Sequence, residues 1–235
     1  MSTQITTAFV QQFSSNVQLL SQQMGSLLRG SVSEESVTGE KAFFDQVGQA
    51  AAVKRTSRHS DTPIVDTPHS RRMVTMDSYE WADLVDDADK VRLLIDPTSA
   101  YARTAAAAIG RAMDDAIIAA ATGTAKTGKS GSTSTTLPSA QQIAHGSTDL
   151  TIEKLIEAKQ KLDVNSVDPS IPRYIVVSPF QIQRLLNETA VTSSDFNTVK
   201  ALVRGEVDTF MGFKFIVSNR LAKSDNNRTC FAFAE

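Results

Sequence analysis

A single cysteine, three histidines and one tryptophan in 235 residues leave little from which to build a redox or metal centre. Disulfide stapling needs a pair of cysteines, and Cys230 has no second. His59, His69 and His145 stand too far apart to give the short ligand spacing of a zinc site. Cys230 lies in the apolar run CFAFA, where it reads as a small buried hydrophobe and not as a nucleophile. No charge of one sign dominates. With 24 Lys and Arg against 26 Asp and Glu, the chain has no global field to draw it to nucleic acid or to an anionic membrane. Long hydrophobic runs are missing as well: no segment holds the roughly 18 apolar residues of a membrane span. The opening MSTQITTAFVQQF has no charged region ahead of an apolar block. The expectation is a soluble protein made in a cytosol, with no cofactor, no metal and no membrane contact.

What is present begins with a stripe. Val10, Phe13, Val17, Leu20, Met24 and Leu27 recur three and four residues apart among glutamines, the pattern of a helix with one apolar face. The stripe stops at Gly30, and the polar linker SVSEESVTGE follows. A helix docked on another surface, a neighbouring subunit included, is the preferred reading; a coiled-coil adaptor or scaffold is the alternative. Residues 53–81 change texture to a polar, Thr- and Arg-rich segment broken by two Asp-Thr-Pro triplets. Strand, turn, strand is the expectation, with Met73 to Met76 and Tyr79 in strand positions and Pro63 and Pro68 in turns or at an edge. So polar a hairpin cannot form its own core, which makes it an extended arm completed by another surface. Among Arg55, Arg58, Asp61, Asp66, Arg71 and Arg72, at least one contact to another subunit is expected.

Asp96 as N-cap, Pro97 as first helical residue and Gly123 as terminator then bracket an Ala-rich helix, roughly 35 to 40 Å long. Ile109, Met113, Ile117 and Ala120 are expected on its packed side. Asp114 and Asp115, adjacent and therefore about 100° apart on the helix, cannot converge on one ion and read as solvated or salt-bridged. The string GTAKTGKS at 123–130 fits the written pattern of a nucleotide-binding P-loop. That loop works only between a strand and a helix, whereas here a helix precedes it and the Ser/Thr/Gly tract GSTSTTLPSAQ follows. A flexible connector is the better reading, with nucleotide binding kept as an alternative.

Beyond the connector helices and strands alternate. Asp149 or Thr151 caps a helix with Ile152, Leu155, Ile156 and Leu162 on one face; RYIVVS at 173–178 is a near-continuous apolar strand suited to a sheet covered on both sides. Ser178 and Pro179 open a helix carrying Phe180, Ile182, Leu185 and Leu186. TVKALVRG reads as a brief helix, and the segment 207–219 as strands bent at Gly212. The fold class is α+β, ending in a compact mixed lobe.

GEVDTFMGFKFIVSNRL at 205–221, RYIVVSPFQIQRLL at 173–186, and DTPIVDTPHSRRMVT followed by DKVRLLIDPTSAYARTAAAAIGRAMDDAIIAAATG resemble the major capsid proteins of tailed bacteriophages, the Hong Kong phage-type coat fold, and its short-tailed phage relatives in particular. Together they cover most of residues 40–221. The resemblance implies an N-terminal arm and linker over 1–40, an extended hairpin and peripheral domain with a spine helix (about 97–122) over 41–122, a flexible loop over 123–148, and a mixed axial domain over 149–235. The family's C-terminal return to the peripheral domain has no counterpart before Glu235. It further implies hexamers and pentamers of an icosahedral virion shell, assembled in the host cytoplasm, around double-stranded DNA held without sequence reading. Scaffolding, portal and decoration proteins are the further partners it suggests. The interface candidates are then Val10, Phe13, Val17 and Leu20 in the arm and the six charged residues of the hairpin.

Overall fold

A computed structural model describes residues 22–58, 61–83, 98–187, 209–224 and 227–235. The stripe residues Val10, Phe13, Val17 and Leu20, the Asp96-Pro97 cap and the helix expected from TVKALVRG lie outside them. The chain divides into two compact units, residues 1–26 with 79–113 and residues 27–78 with 114–235.

The mixed lobe is organised by strand β5 (Arg173–Val177), in which all five residues are buried. Its sheet has the order β10-β5-β7-β6, with β6 (Thr209–Phe210), β7 (Phe213–Val217) and β10 (Phe231–Ala234), while β8 (Lys223–Ser224) and β9 (Asn227–Arg228) pair with each other. β5 runs parallel to β7, while β10 and β6 are antiparallel to their neighbours. Alternation sends Ile175 and Val177 to one face, where they meet Leu150, Leu155, Leu185, Phe210 and Phe213. Val176 points the other way, to Leu28, Ile118 and Leu221. Both faces are covered, which is why RYIVV is apolar without a polar alternation.

Local chemistry sets the helices of the lobe. Thr151 is the N-cap of α2 (Ile152–Val164), its hydroxyl accepting from the Lys154 amide. Leu155 is the buried anchor of that helix and Ile152 and Leu162 flank it, but Ile156 is half exposed and leaves the expected face. α3 (Pro179–Asn187) opens on a reciprocal capping box: the Gln181 amide donates to Ser178 Oγ at 3.3 Å and the Ser178 amide to Gln181 Oε1 at 2.9 Å. Arg173 is buried at the start of β5 and is held by Asp163 at 2.7 Å and by the Val167 carbonyl at 3.0 Å. A buried guanidinium needs such partners to offset its desolvation.

The Ala-rich segment is one helix, α1 (Thr98–Thr122). Its buried residues are Ala107, Gly110, Asp114 and Ile118, not the Ile109, Met113, Ile117, Ala120 set: Ile109 and Met113 are exposed and Ile117 is half-buried. Close approach explains the shift. A Cβ at Gly110 would lie 2.5 Å from the Gly25 backbone, so the chain at Gly25 touches the helix where it has no side chain. Gly123 ends the helix by a related constraint, since a Cβ there would meet the Ala119 carbonyl at 2.6 Å.

A second sheet, of order β1-β2-β3-β4, is antiparallel throughout. Its long pair is β1 (Lys41–Val47) and β2 (His69–Thr75), registered Lys41 to Thr75 and Val47 to His69. The first strand therefore lies ahead of the segment 53–81 where a hairpin was expected, and neither Met76 nor Tyr79 is in a strand. KAFFDQV is followed by Gly48, whose amide closes the ladder on the Pro68 carbonyl at 2.8 Å, and the polar tract beyond is the tip. β3 (Ala125–Thr127) and β4 (Thr133–Thr135) extend the sheet from within the tract expected to be a loop.

The β6–β7 connection is a two-residue turn with Met211 at φ 54° and Gly212 at φ 85°, both in the left-handed region that a primed hairpin turn demands. Nothing lies within 4 Å of a Cβ at Gly212, so the backbone alone sets the cost of a side chain there. Gly212→Ala is expected to lower stability by about 1 kcal/mol, a fall of roughly 2–4 °C in Tm. Gly30→Ala, equally open but without a positive φ, should change it by less than about 0.5 kcal/mol in the same thermal melt.

Candidate interaction surface

The hairpin presents its residues to solvent. Every described residue from 49 to 68 is exposed, and Ile64 is 95% exposed, with Val53 and Val65 also open. One face of the β1–β2 pair carries Lys41, Phe43, Asp45 and Val47 opposite Thr75, Met73, Arg71 and His69. Phe43 and Val47 remain 44% and 65% exposed on it. Among the described residues these apolar side chains stand open to solvent.

The six charged candidates divide sharply. Arg71 is committed within the chain: its guanidinium forks onto Asp45 directly across the ladder, at 2.5 and 2.8 Å, and lies 5.6 Å over the Phe43 ring. Arg55 donates to the Ser57 carbonyl at 3.0 Å and the Arg58 carbonyl at 2.9 Å, folding the tip on itself. Arg72 faces Phe44 on one side and Thr127 on the other within the sheet. Arg58, Asp61 and Asp66 are exposed along the tip. Phe43, Val47, Ile64 and Asp45, absent from the candidate list, belong to the same surface. Nothing within KAFFDQV alone marks Phe43, Asp45 and Val47, since their placement follows from pairing with β2, and Ile64 stands apart in the tip.

Asp114 departs from the expectation of a solvated or salt-bridged carboxylate. It is fully buried, and the Leu27 amide lies 3.1 and 3.2 Å from its two oxygens, with the Leu28 amide 3.1 Å from Oδ1. The carboxylate thus binds the backbone that seats Leu28 against Val176. Asp115, a hundred degrees round, meets Arg220 in a fork at the surface, which raises the Arg220 guanidinium above its ordinary value mainly through the hydrogen bond. The two neighbours do different work because the helix turns between them.

GTAKTGKS is a sheet element. Its residues run from the end of α1 through β3 to a turn at Gly128, φ 88°, where the Gly131 amide returns to the Gly128 carbonyl at 3.2 Å. Lys126 donates to Ser134 Oγ at 2.9 Å and Lys129 is exposed. A turn and strand β4 follow Ser130 directly, so the loop opens no helix whose N-terminus could hold a phosphate. Two shallow grooves carry no chemistry either. In one, of about 420 Å³, Arg184 is engaged by Asp149 at 3.4 Å and the Phe180 ring at 4.8 Å; in the other, of about 500 Å³, Arg173 is held by Asp163. Burial raises the half-buried Cys230 thiol above its ordinary range, consistent with a packing role.

Comparison with known proteins now defines the class. A phage capsid protein family model matches residues 5–235, and the chain belongs to that family. It is a structural capsid subunit and not an enzyme. Among solved structures it is similar to the capsid of cyanophage P-SCSP1u, at 21% identity and a TM-score of 0.66 over 97% of this chain and 73% of that one. It is also similar to that of Ralstonia phage GP4, at 11% identity and 0.65 over 90% and 73%. Mycobacterium phage Che8 gives 18% identity and 0.61 over 92% and 77%. No curated protein matches the sequence. The likenesses carry the α+β capsid fold, and none supports nucleotide binding or a coiled-coil adaptor.

Asp114→Ala is expected to destabilise the protein by about 3 kcal/mol, since it strands the buried Leu28 amide and the part-buried Leu27 amide. Asp115→Ala, at a half-exposed pair, should cost no more than about 1 kcal/mol in the same urea titration. The Asp45 carboxyl is held below the usual carboxylate range, first by its hydrogen bond from Arg71. A depressed folded pKa gives stability that is present at neutral pH and lost as pH falls through that depressed value. Protection factors of the β1 amides, taken relative to the intrinsic exchange rate at each pH, should therefore fall in acid below the ordinary carboxylate range of ~4, and Asp45→Asn should remove that pH dependence.

Proposed function

We propose that this capsid subunit assembles as hexamers and pentamers of an icosahedral shell that encloses double-stranded DNA without reading its sequence. The exposed β1–β2 hairpin carries the reading: an aliphatic side chain as open as Ile64, beside Val53 and Val65, is stable in water only at a cost that a neighbouring copy removes. In this scheme the hairpin and its tip lie over an adjacent subunit, and Arg58, Asp61 and Asp66 find partners there. α1 serves as the spine of a peripheral domain within residues 41–122. The lobe of residues 149–235 meets its equivalents around the local axis, and the Val10, Phe13, Val17, Leu20 stripe of a 1–40 arm docks on a neighbour.

The near balance of charge supports packing of DNA by local inner-surface contacts and not by a global field. Assembly takes place in the host cytoplasm, with scaffolding, portal and decoration proteins as the further partners. Electron microscopy and light scattering of the expressed protein test the reading. Shells or capsomer rings are expected, and Ile64→Asp should shift them toward small species with little change in the melting temperature of the subunit. A compact monomer at high concentration, with residues 49–67 protected from protease, would refute it.

A further inference from the structure

The outer edge of β1 has its own pairing code. The Met76 amide donates to the Glu40 carbonyl and the Gly48 amide to the Pro68 carbonyl, which fixes the even-numbered residues of β1 as the ones bonded to β2. Lys41, Phe43, Asp45 and Val47 therefore turn their amides and carbonyls away from the sheet. Among the described residues β1 is an edge strand, so these groups form an open ladder seven residues long.

We propose that this edge pairs with the same edge of a second copy, antiparallel across a two-fold axis, joining the two hairpin sheets into one. The proposal rests on the shell reading above and names one contact within it. Self-complementarity points to a second copy of this chain. Centred on Phe43, the antiparallel register sets Lys41 against Asp45 of the second copy, Asp45 against its Lys41, and Phe43 against its Phe43. All six side chains lie on one face, so opposite charges and an aromatic pair meet directly. Each Asp45 is then shared between its own Arg71 and the incoming Lys41. The neighbouring registers are poorer. Centring on Asp45 opposes two carboxylates, and centring on Phe44 sets Phe43 against Asp45 and Lys41 against Val47. An isologous contact of this kind also closes on itself and uses the β1 edge of both copies.

Cysteine cross-linking reads the register. A hydrogen-bonded antiparallel pair holds its Cα atoms about 5.5 Å apart, within reach of a disulfide. Under mild oxidation Phe43→Cys is expected to give at least about fivefold more disulfide-linked dimer than Val47→Cys or the parent protein, whose half-buried Cys230 sets the background. Adding Lys41→Asp, which opposes two carboxylates at each end, should cut that yield at least about fivefold, whereas Lys41→Arg should keep it. In the unmodified protein the amides of Phe43 and Asp45 should gain protection from hydrogen exchange on assembly, a readout that does not depend on the variants folding. Shells that form without Phe43→Cys cross-links and without that protection would overturn the pairing and leave the shell reading intact. Cross-linked dimers with no shells would uphold the pairing and overturn the shell. A monomer with neither would overturn both.

Discussion

Five consecutive residues with nowhere to face but inward set the terms for the rest of the lobe. Arg173 to Val177 are all buried, so β5 must be covered on both faces and paired along both edges. Ile175 and Val177 draw α2 and α3 to one side through Leu155 and Leu185. Val176 draws Leu28, Ile118 and Leu221 to the other. The second cover comes from residues far apart in the chain, and a hydrophobic side chain alone would hold Leu28 only loosely. Asp114 supplies the direction: its carboxylate binds the Leu27 and Leu28 amides and so fixes the path of the backbone beneath the strand. A buried charge is tolerable there because its acceptor sites are used by backbone donors.

The hairpin obeys the opposite rule. Its ladder is well formed, with a bidentate Arg71–Asp45 pair and a cation over Phe43, yet Phe43, Val47 and the described residues of its tip are exposed. Internal pairing holds its shape and leaves apolar side chains such as Phe43, Val47 and Ile64 exposed, unlike the lobe, whose apolar residues are satisfied within the chain.

Legibility in the sequence followed how local the cause was. The Ser178 cap, the Thr151 cap (one of the two offered, with Asp149), the Ala-rich helix and the strand RYIVV each depend on residues within a few positions of one another, and each lies where the pattern places it. The glycine turn of β6–β7 is local too. What failed were assignments that depend on a distant partner. The helix buries Ala107, Gly110 and Asp114 in place of Ile109 and Met113, because another stretch of backbone comes close enough to need small side chains and an acceptor. β1 was hidden because only its pairing with β2, across a long tip, distinguishes KAFFDQV from a linker.

The sequence by itself pointed to the class: balanced charge and an order of segments resembling the capsid family whose model spans residues 5–235. It also determined that GTAKTGKS has the wrong neighbours for a phosphate loop, since a helix precedes it and none follows. Tertiary structure alone decided which of two adjacent aspartates is buried, which arginine is spent within the chain, and which edge of the hairpin remains open. Adjacent residues on a helix differ by about 100° in direction, and alternate residues on a strand differ in which neighbour their amides address. Those directions acquire meaning only when the rest of the chain has been placed around them.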